Sequence, residues 1–505
     1  MDAITCPITR TCRRPRRGSL LIGVGIGLTL CALLGPPVMA DPDVAETALR
    51  TRLDQVLTGH KQPKAVLAAR VIDLQSGRII YDRDGHRPMI PASNMKLVVI
   101  AAAIEQLGAD YQFETTLAIR GKDLIVIGGG DPTIGDERLA EQRNQPITAV
   151  FHQWAELLLK AGVKQIPGNV VVDDSLFDDK FVHAGWPADQ FQRWYEAPVG
   201  GLNFADNCVE VRVRPTQPGK PADLSCIPGN PYIKIVNKTV TGGKNAVAVS
   251  RQKDGDTLVV TGTVTKEGSY GPIAVYDPGL YFGNVLKTVL ASKGVRVVGK
   301  VVREKVRLDD GSIPPSCHVV TVCKTPLRDA LGRAGKHSLG MMAEALIKML
   351  GRKEAGKGSW ESGAQAVESF LHQVGVPADQ ATLEDGSGLS RSNRLSPAAA
   401  ADVLQYMFKS PGGGFEMLRD SLACAGIDGT LEKRLRGPAT KGRVYAKTGY
   451  IKGVCTLAGY VHTSSGQWLA FAFYYNQSVG PADLKKAQDQ ACELLVSWPD
   501  IKPAP

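Results

Sequence analysis

Two short motifs about 350 residues apart set the strongest constraint on how this chain folds. Ser93-Asn94-Met95-Lys96 opens a long apolar run, and Lys447-Thr448-Gly449 leads a strand-like segment near the far end. A serine and a lysine one helical turn apart, joined by a second lysine from a distant strand, form a nucleophile set that needs no histidine. If the two motifs act together, the chain must leave the domain that holds Ser93, build something else and return. The expected fold is therefore α/β (α+β), with one discontinuous domain assembled from both ends of the chain.

The pattern between the motifs agrees with an insertion. From 41 to 118 the sequence reads as a helix (44–57), two strands (65–73, 78–83) and the serine-bearing helix. From 119 to 321 it changes to short β-branched runs broken by Gly, Pro, Asn and Asp, a mainly-β signature. Strands are predicted at 124–127, 169–173, 258–264 and 295–302, with one helix near 281–293. From 322 to 505 helices return (338–350, 364–374, 398–408), then strands at 444–449, 454–462 and 468–475, and a closing helix at 482–496.

Residues 1–40 read as a cleaved secretory signal. Arg10 to Arg17 form a basic segment, Leu20 to Leu34 is apolar, and Val38-Met39-Ala40 offers a small-residue cleavage site. The expected location is periplasmic or extracellular, with no membrane span after cleavage, since the closing helix carries no apolar tail. Loss of five arginines and Asp2 takes the net charge from +10 to +6. That excess is dispersed, which argues against nucleic acid as a partner. Seven cysteines remain; an exported protein can form disulfides, and Cys208 with Cys226 and Cys317 with Cys323 are the first pairs to test. Neither CxxC nor HExxH occurs, so no metal and no cofactor is expected.

An SxxK pattern alone is uninformative, and Ser250-Arg251-Gln252-Lys253 repeats it ahead of a hairpin. Context separates Ser93. Pro91 breaks the preceding strand, so Ser93 falls in a first helical turn, and the residues after Lys96 are apolar all round, which predicts burial. Ser93 and Lys96 then share one face. Burial lowers a lysine pKa by stripping hydration from the ammonium, and a neutral lysine is a general base. Without the second motif, a helix-capping serine followed by a snorkelling lysine describes the first equally well. Lys447-Thr448-Gly449 shifts that balance, because a glycine on a strand lets a ligand approach the backbone.

Seven stretches, in order, resemble one family. They are Pro91–Leu97, Gly130–Thr133, Val171–Phe177, Ala197-Pro198 with Asn203 and Asn207, Asp385–Arg391, Ala425–Leu431 and Ala446–Gly449. Together the chain resembles the D-alanyl-D-alanine carboxypeptidase/endopeptidase family, the low-molecular-mass class C penicillin-binding proteins. The resemblance implies a discontinuous transpeptidase/β-lactamase-like domain with a large mainly-β insertion. It implies hydrolysis of peptidoglycan stem peptides through an acyl-enzyme on Ser93, with Lys96 as base and β-lactams acylating the same serine. Ser338 and Lys447 complete the implied catalytic set. Lys447 and Thr448 would hold the terminal carboxylate, with Gly449 beside them. Backbone N–H groups of Ser93 and Tyr450 would form the oxyanion hole. Asp173, with Asp174 close behind, would bind the side-chain amine of the stem peptide.

Two departures stand out. The family's Ser-x-Asn motif reads Ser338-Leu339-Gly340 here, so the asparagine is a glycine. Tyr450 replaces the usual Thr or Ser after the glycine. These motivate an alternative reading, a penicillin-binding-protein-like scaffold that holds cell-wall peptide with little turnover. A β-lactamase shares the serine-lysine chemistry, but no deacylating residue is evident.

Overall fold

The computed structural model describes residues 42–499, so the expected signal at 1–40 lies outside the described residues. The two chain ends meet in a six-stranded antiparallel sheet. Its order is Ala423–Cys424, Val444–Ile451, Val454–His462, Trp468–Asn476, Val66–Asp73, Ile79–Arg83. The central strands are buried on both faces, and their side chains alternate between two cores as a period of two requires. Leu457, Phe471 and Phe473 point toward helices Pro42–Thr58 and Ala482–Val496. Ala458, Tyr460 and Tyr474 point the other way, into the core shared with helices Met95–Leu107, Gly340–Ala355 and Pro397–Lys409. Helix Met95–Leu107 has no polar face and is buried almost throughout, as its sequence predicts.

A second sheet closes around the middle of the chain. Val301–Arg303, Val170–Asp173 and Asp123–Ile127 run parallel, and Gln112–Arg120 and His318–Pro326 extend them antiparallel. The borders expected at 119 and 321 fall inside these last two strands. Two three-stranded sheets follow, one of Ala246–Arg251, Thr257–Val264 and Lys234–Thr241, the other of Gly268–Ala274, Cys208–Arg214 and Asp223–Ile227. Beside the expected helix, seen at Pro278–Ser292, stands a second at Ala149–Lys160 that the sequence reading did not include. Its Phe151, Trp154, Ala155 and Leu158 fall on one face and pack with Phe204 and Phe282. The strand expected over 295–302 is two short pieces, Arg296–Val297 and Val301–Arg303. Gly299 packs its backbone against Gly168, leaving no room for a Cβ.

The expected disulfides do not form, and all seven cysteines are free thiols. Register explains both cases. Cys226 lies opposite Val211, three residues along the strand from Cys208, roughly 10 Å away at the usual rise. Cys317 and Cys323 are separated along one extended run and serve different cores. A disulfide needs Cα atoms within about 7 Å. Thiol titration of the unfolded protein without reductant should therefore find every described cysteine reactive. A titre short by two or four would contradict this arrangement.

Candidate active site

Pro91 ends the extended chain, and a single 3₁₀ turn, Ala92–Asn94, leads into helix Met95–Leu107. Ala92 sits at φ +47, a left-handed conformation costly for alanine, and is fully buried. This turn presents Ser93 at the mouth of a cleft of about 850 Å³. One helical turn later, the Lys96 Nζ lies 3.1 Å from Ser93 Oγ and donates to the Ser387 carbonyl at 2.7 Å.

Asn94 welds the two ends of the chain. Its Nδ2 donates to the Lys447 carbonyl at 3.1 Å and to Thr456 Oγ1 at 2.8 Å. Thr456 Oγ1 in turn donates to the Pro91 carbonyl at 2.8 Å. Gly449 leaves the space for this arrangement: a Cβ there would collide with Thr456 Oγ1 and sit 2.9 Å from the Pro91 carbonyl. The nucleophile turn is thus fixed directly to strand Val444–Ile451. That strand pairs with Ala423–Cys424 only through Tyr445 and Ala446, which leaves the outer edge of 447–451 open toward the cleft.

Lys447 is fully buried, and its Nζ donates to Ser338 Oγ at 2.8 Å and to the Thr448 carbonyl at 2.8 Å. Ser338 takes φ +61, like Ala92 a left-handed conformation outside glycine, just ahead of helix Gly340–Ala355. Burial pushes the Lys96 ammonium down to about 8, partly offset by the Glu344 and Asp385 carboxylates. Burial, then repulsion from Lys96, drives Lys447 well below its ordinary value. A neutral Lys96 has a lone pair for the Ser93 hydroxyl proton, and Ser338 can relay a proton between Lys447 and a leaving amine. Those are the parts of an acyl-transfer site.

Support for Lys96 comes from a buried turn at 385–390. Glu344, fully buried, accepts from the Gly386 and Ser387 amides at 2.9 and 2.7 Å and from Trp360 Nε1 at 2.7 Å. Asp385 accepts from the Gly388 and Ser390 amides, both at 2.7 Å, and from Trp186 Nε1 at 2.8 Å. Burial and the Asp385 charge raise Glu344 to about 7. Asn94, Thr456, Glu344 and Trp186 were not singled out from sequence. Asn94 and Asp385 lie inside stretches that the family resemblance picked out, and Glu344 lies one helical turn beyond Gly340, whereas Trp186 and Thr456 lie in none of those segments.

The structure brings Ser93, Lys96, Ser338, Lys447, Thr448, Gly449 and Tyr450 to one cleft. Thr448 Oγ1 donates to Thr430 Oγ1 at 2.9 Å, and Tyr450 is 52% exposed at the rim. Asp173 is not among them. It is buried at the end of strand Val170–Asp173, where its carboxylate accepts from the backbone amides of Ser175, Val306 and Arg307 at 2.7–2.9 Å. Those bonds take three of its roughly four acceptor sites, the side chain is buried, and the residue borders a different cavity. The carboxylate expected from the resemblance at this position is a structural one. Gly340 lines the cleft, and a Cβ there would make ordinary contacts, 3.4 Å to the Tyr195 carbonyl and 3.5 Å to Ser387 Cβ.

Residues 49–497 match the D-Ala-D-Ala carboxypeptidase 3 (S13) family. The chain is 33% identical to a D-alanyl-D-alanine carboxypeptidase of Actinomadura sp. (strain R39), covering 96% of this chain and 91% of that one. It is 27% identical to D-alanyl-D-alanine carboxypeptidase DacB of Haemophilus influenzae, over 80% and 84% of the two chains. The crystal structure of Haemophilus influenzae penicillin binding protein 4 (dacB) superposes with TM-score 0.72 at 24% identity, covering 89% of this chain and 99% of that one. Its complex with a novel β-lactam gives TM-score 0.68. These likenesses establish the mixed α/β fold with its transpeptidase-like domain.

If Lys96 takes the Ser93 proton, its value of about 8 makes the rate of penicillin acylation climb from pH 6 and level off near pH 9. Stopped-flow quenching with a fluorescent penicillin reads this. A rate independent of pH between 6 and 9 would contradict Lys96 as base.

Proposed function

The chain belongs to the D-Ala-D-Ala carboxypeptidase 3 (S13) family and is a D-Ala-D-Ala carboxypeptidase, and we propose that it works through an acyl-enzyme on Ser93. The observation that carries this reading is the contact of Ser93 Oγ with the buried, low-pKa amine of Lys96. The substrate peptide lies along the open edge of 447–451, extending the sheet by one strand. Lys96 takes the Ser93 proton as Oγ attacks the carbonyl between two D-alanines, and the amides of Ser93 and Tyr450 hold the developing oxyanion. The proton that Lys96 takes up is passed to the departing D-alanine nitrogen by way of Ser338, which the Lys447 amine holds, so that Lys96 is neutral again for the second step, while Thr448 faces the carboxylate of the departing D-alanine. Water then hydrolyses the ester with Lys96 again as base. Penicillin enters by the first half of this route.

The substrate class is the peptidoglycan stem peptide, and the same site cuts peptide cross-links when the acyl acceptor side is a second stem. We place the enzyme outside the cytoplasm, on the signal-like layout of 1–40. Among the described residues no helix is long and apolar enough to cross a membrane. The 119–321 segment is proposed as the insertion, with its paired ends at 112–120 and 318–326.

Gly340 is the feature that favours slow turnover. The asparagine it replaces would offer an amide to the substrate, an effect on the order of 1–3 kcal/mol. The Ser387 carbonyl already holds Lys96, so the missing side chain affects peptide binding more than the base. Two expected outcomes follow. D-alanine release from a D-Ala-D-Ala peptide is seen for the wild type and abolished in Ser93→Ala; penicillin labelling without any release would show a binding scaffold instead. Gly340→Asn raises peptide turnover about tenfold, and an unchanged or lower rate would show that the site is adapted to glycine.

A further inference from the structure

The 177–195 segment has two working sides. Pro187, Gln190, Trp194 and Tyr195 line the catalytic cleft, whereas Phe177, Phe181 and Phe191 face a second cavity of about 750 Å³. That cavity opens outside the carboxyl ends of the parallel strands Val170–Asp173 and Val301–Arg303. Open α/β sheets bind ligands at this location, because the strand ends and the loops after them converge there.

Its walls are fixed in advance. Arg303 forks between Asp174 and Asp277, with Nε 3.0 Å from Asp174 Oδ1 and Nη1 2.8 Å from Asp277 Oδ2, and lies over the Phe181 ring at 5.0 Å. Arg251 is 7% exposed, with its guanidinium 4.9 Å from the Phe191 ring centre and 5.7 Å from that of Tyr276. Nη2 of Arg251 donates to the Phe191 carbonyl at 3.0 Å, while its buried Nε has no partner among the described residues. At the mouth Tyr276 is 48% exposed. Asp179, Lys253 and Asp254 stand around it, exposed and without ion-pair partners among the described residues.

Aromatic faces, rigid guanidinium groups and unpaired charges of both signs suit a particular chemistry. A purely anionic ligand meets Asp179 and Asp254, and a purely apolar one strands buried polar atoms. Pyranose rings satisfy the set: their C–H faces lie on aromatic rings, their hydroxyls donate to carboxylates, and acidic substituents meet the lysine. We propose that this cavity binds the amino-sugar glycan to which stem peptides are attached, so that segment 177–195 divides a glycan site from the peptide cleft. This rests on reading the cleft as a stem-peptide hydrolase. Trp186, within the segment, is bonded to Asp385, and Lys348 ties Asp178 at 2.8 Å, so the dividing wall is anchored to the catalytic domain.

Two measurements test it. Ser93→Ala protein is titrated calorimetrically with a peptide-free GlcNAc–MurNAc oligosaccharide, with and without Tyr276→Ala. D-alanine release is then compared for wild type, Tyr276→Ala and Asp254→Asn on a short D-Ala-D-Ala peptide and on glycan-linked stems. The oligosaccharide should bind, about five- to tenfold more weakly after Tyr276→Ala, and release from glycan-linked stems should fall by a similar factor. Release from the short peptide should be unchanged, which also shows the variants fold. Absence of oligosaccharide binding, or equal rates of all three proteins on the linked substrate, would overturn the glycan site. A wild type inactive on the short peptide would instead overturn the carboxypeptidase reading, while the titration still decides the glycan site.

Discussion

Two lysine side chains buried side by side govern this structure. Lys96 and Lys447 are both buried, and the charge of Lys96 makes the ammonium form of Lys447 costlier still. Burial denies both ammonium ions their full hydration, so the two amines are pushed toward losing a proton. The surrounding carboxylates, Glu344 and Asp385, do not touch either amine. They hold the 385–390 turn, whose Ser387 carbonyl does. The geometry keeps an attractive field close while leaving the Lys96 lone pair free of a salt bridge.

That arrangement needs two ends of the chain within hydrogen-bond distance, and the rest of the fold serves this. The six-stranded sheet brings Val66–Asp73 against Trp468–Asn476, and Asn94 closes the last gap by bonding the Lys447 carbonyl. With the ends fixed, the intervening residues are free to build a separate sheet. The segment that returns from it, 177–195, supplies one wall of the cleft.

Much of this was legible from sequence where side-chain identity carries the chemistry. The Ser93–Lys96 spacing, the all-apolar helix and the Lys447–Gly449 strand all appear where expected, because spacing on a helix or strand fixes which face a side chain occupies. Features that depend on backbone atoms or long-range register were not legible. Ser387 acts through its carbonyl and Asn94 through a strand 353 residues away; both lie in stretches that the resemblance marked, but the sequence there does not say which atoms they bond. The cysteine pairs failed for the same reason, since pairing depends on register rather than number. Asp173 lies outside the cleft, buried at a strand end with its carboxylate bonded to three backbone amides, a placement that its sequence context does not reveal.

The central claim is that a hydroxyl held against an unprotonated amine is the single reacting nucleophile. Peptide mapping by mass spectrometry after brief exposure to benzylpenicillin tests it most directly. The account predicts one penicilloyl adduct, on the peptide containing Ser93, and its disappearance in Lys96→Ala. An adduct on another residue, or undiminished labelling of Ser93 in Lys96→Ala, would contradict it.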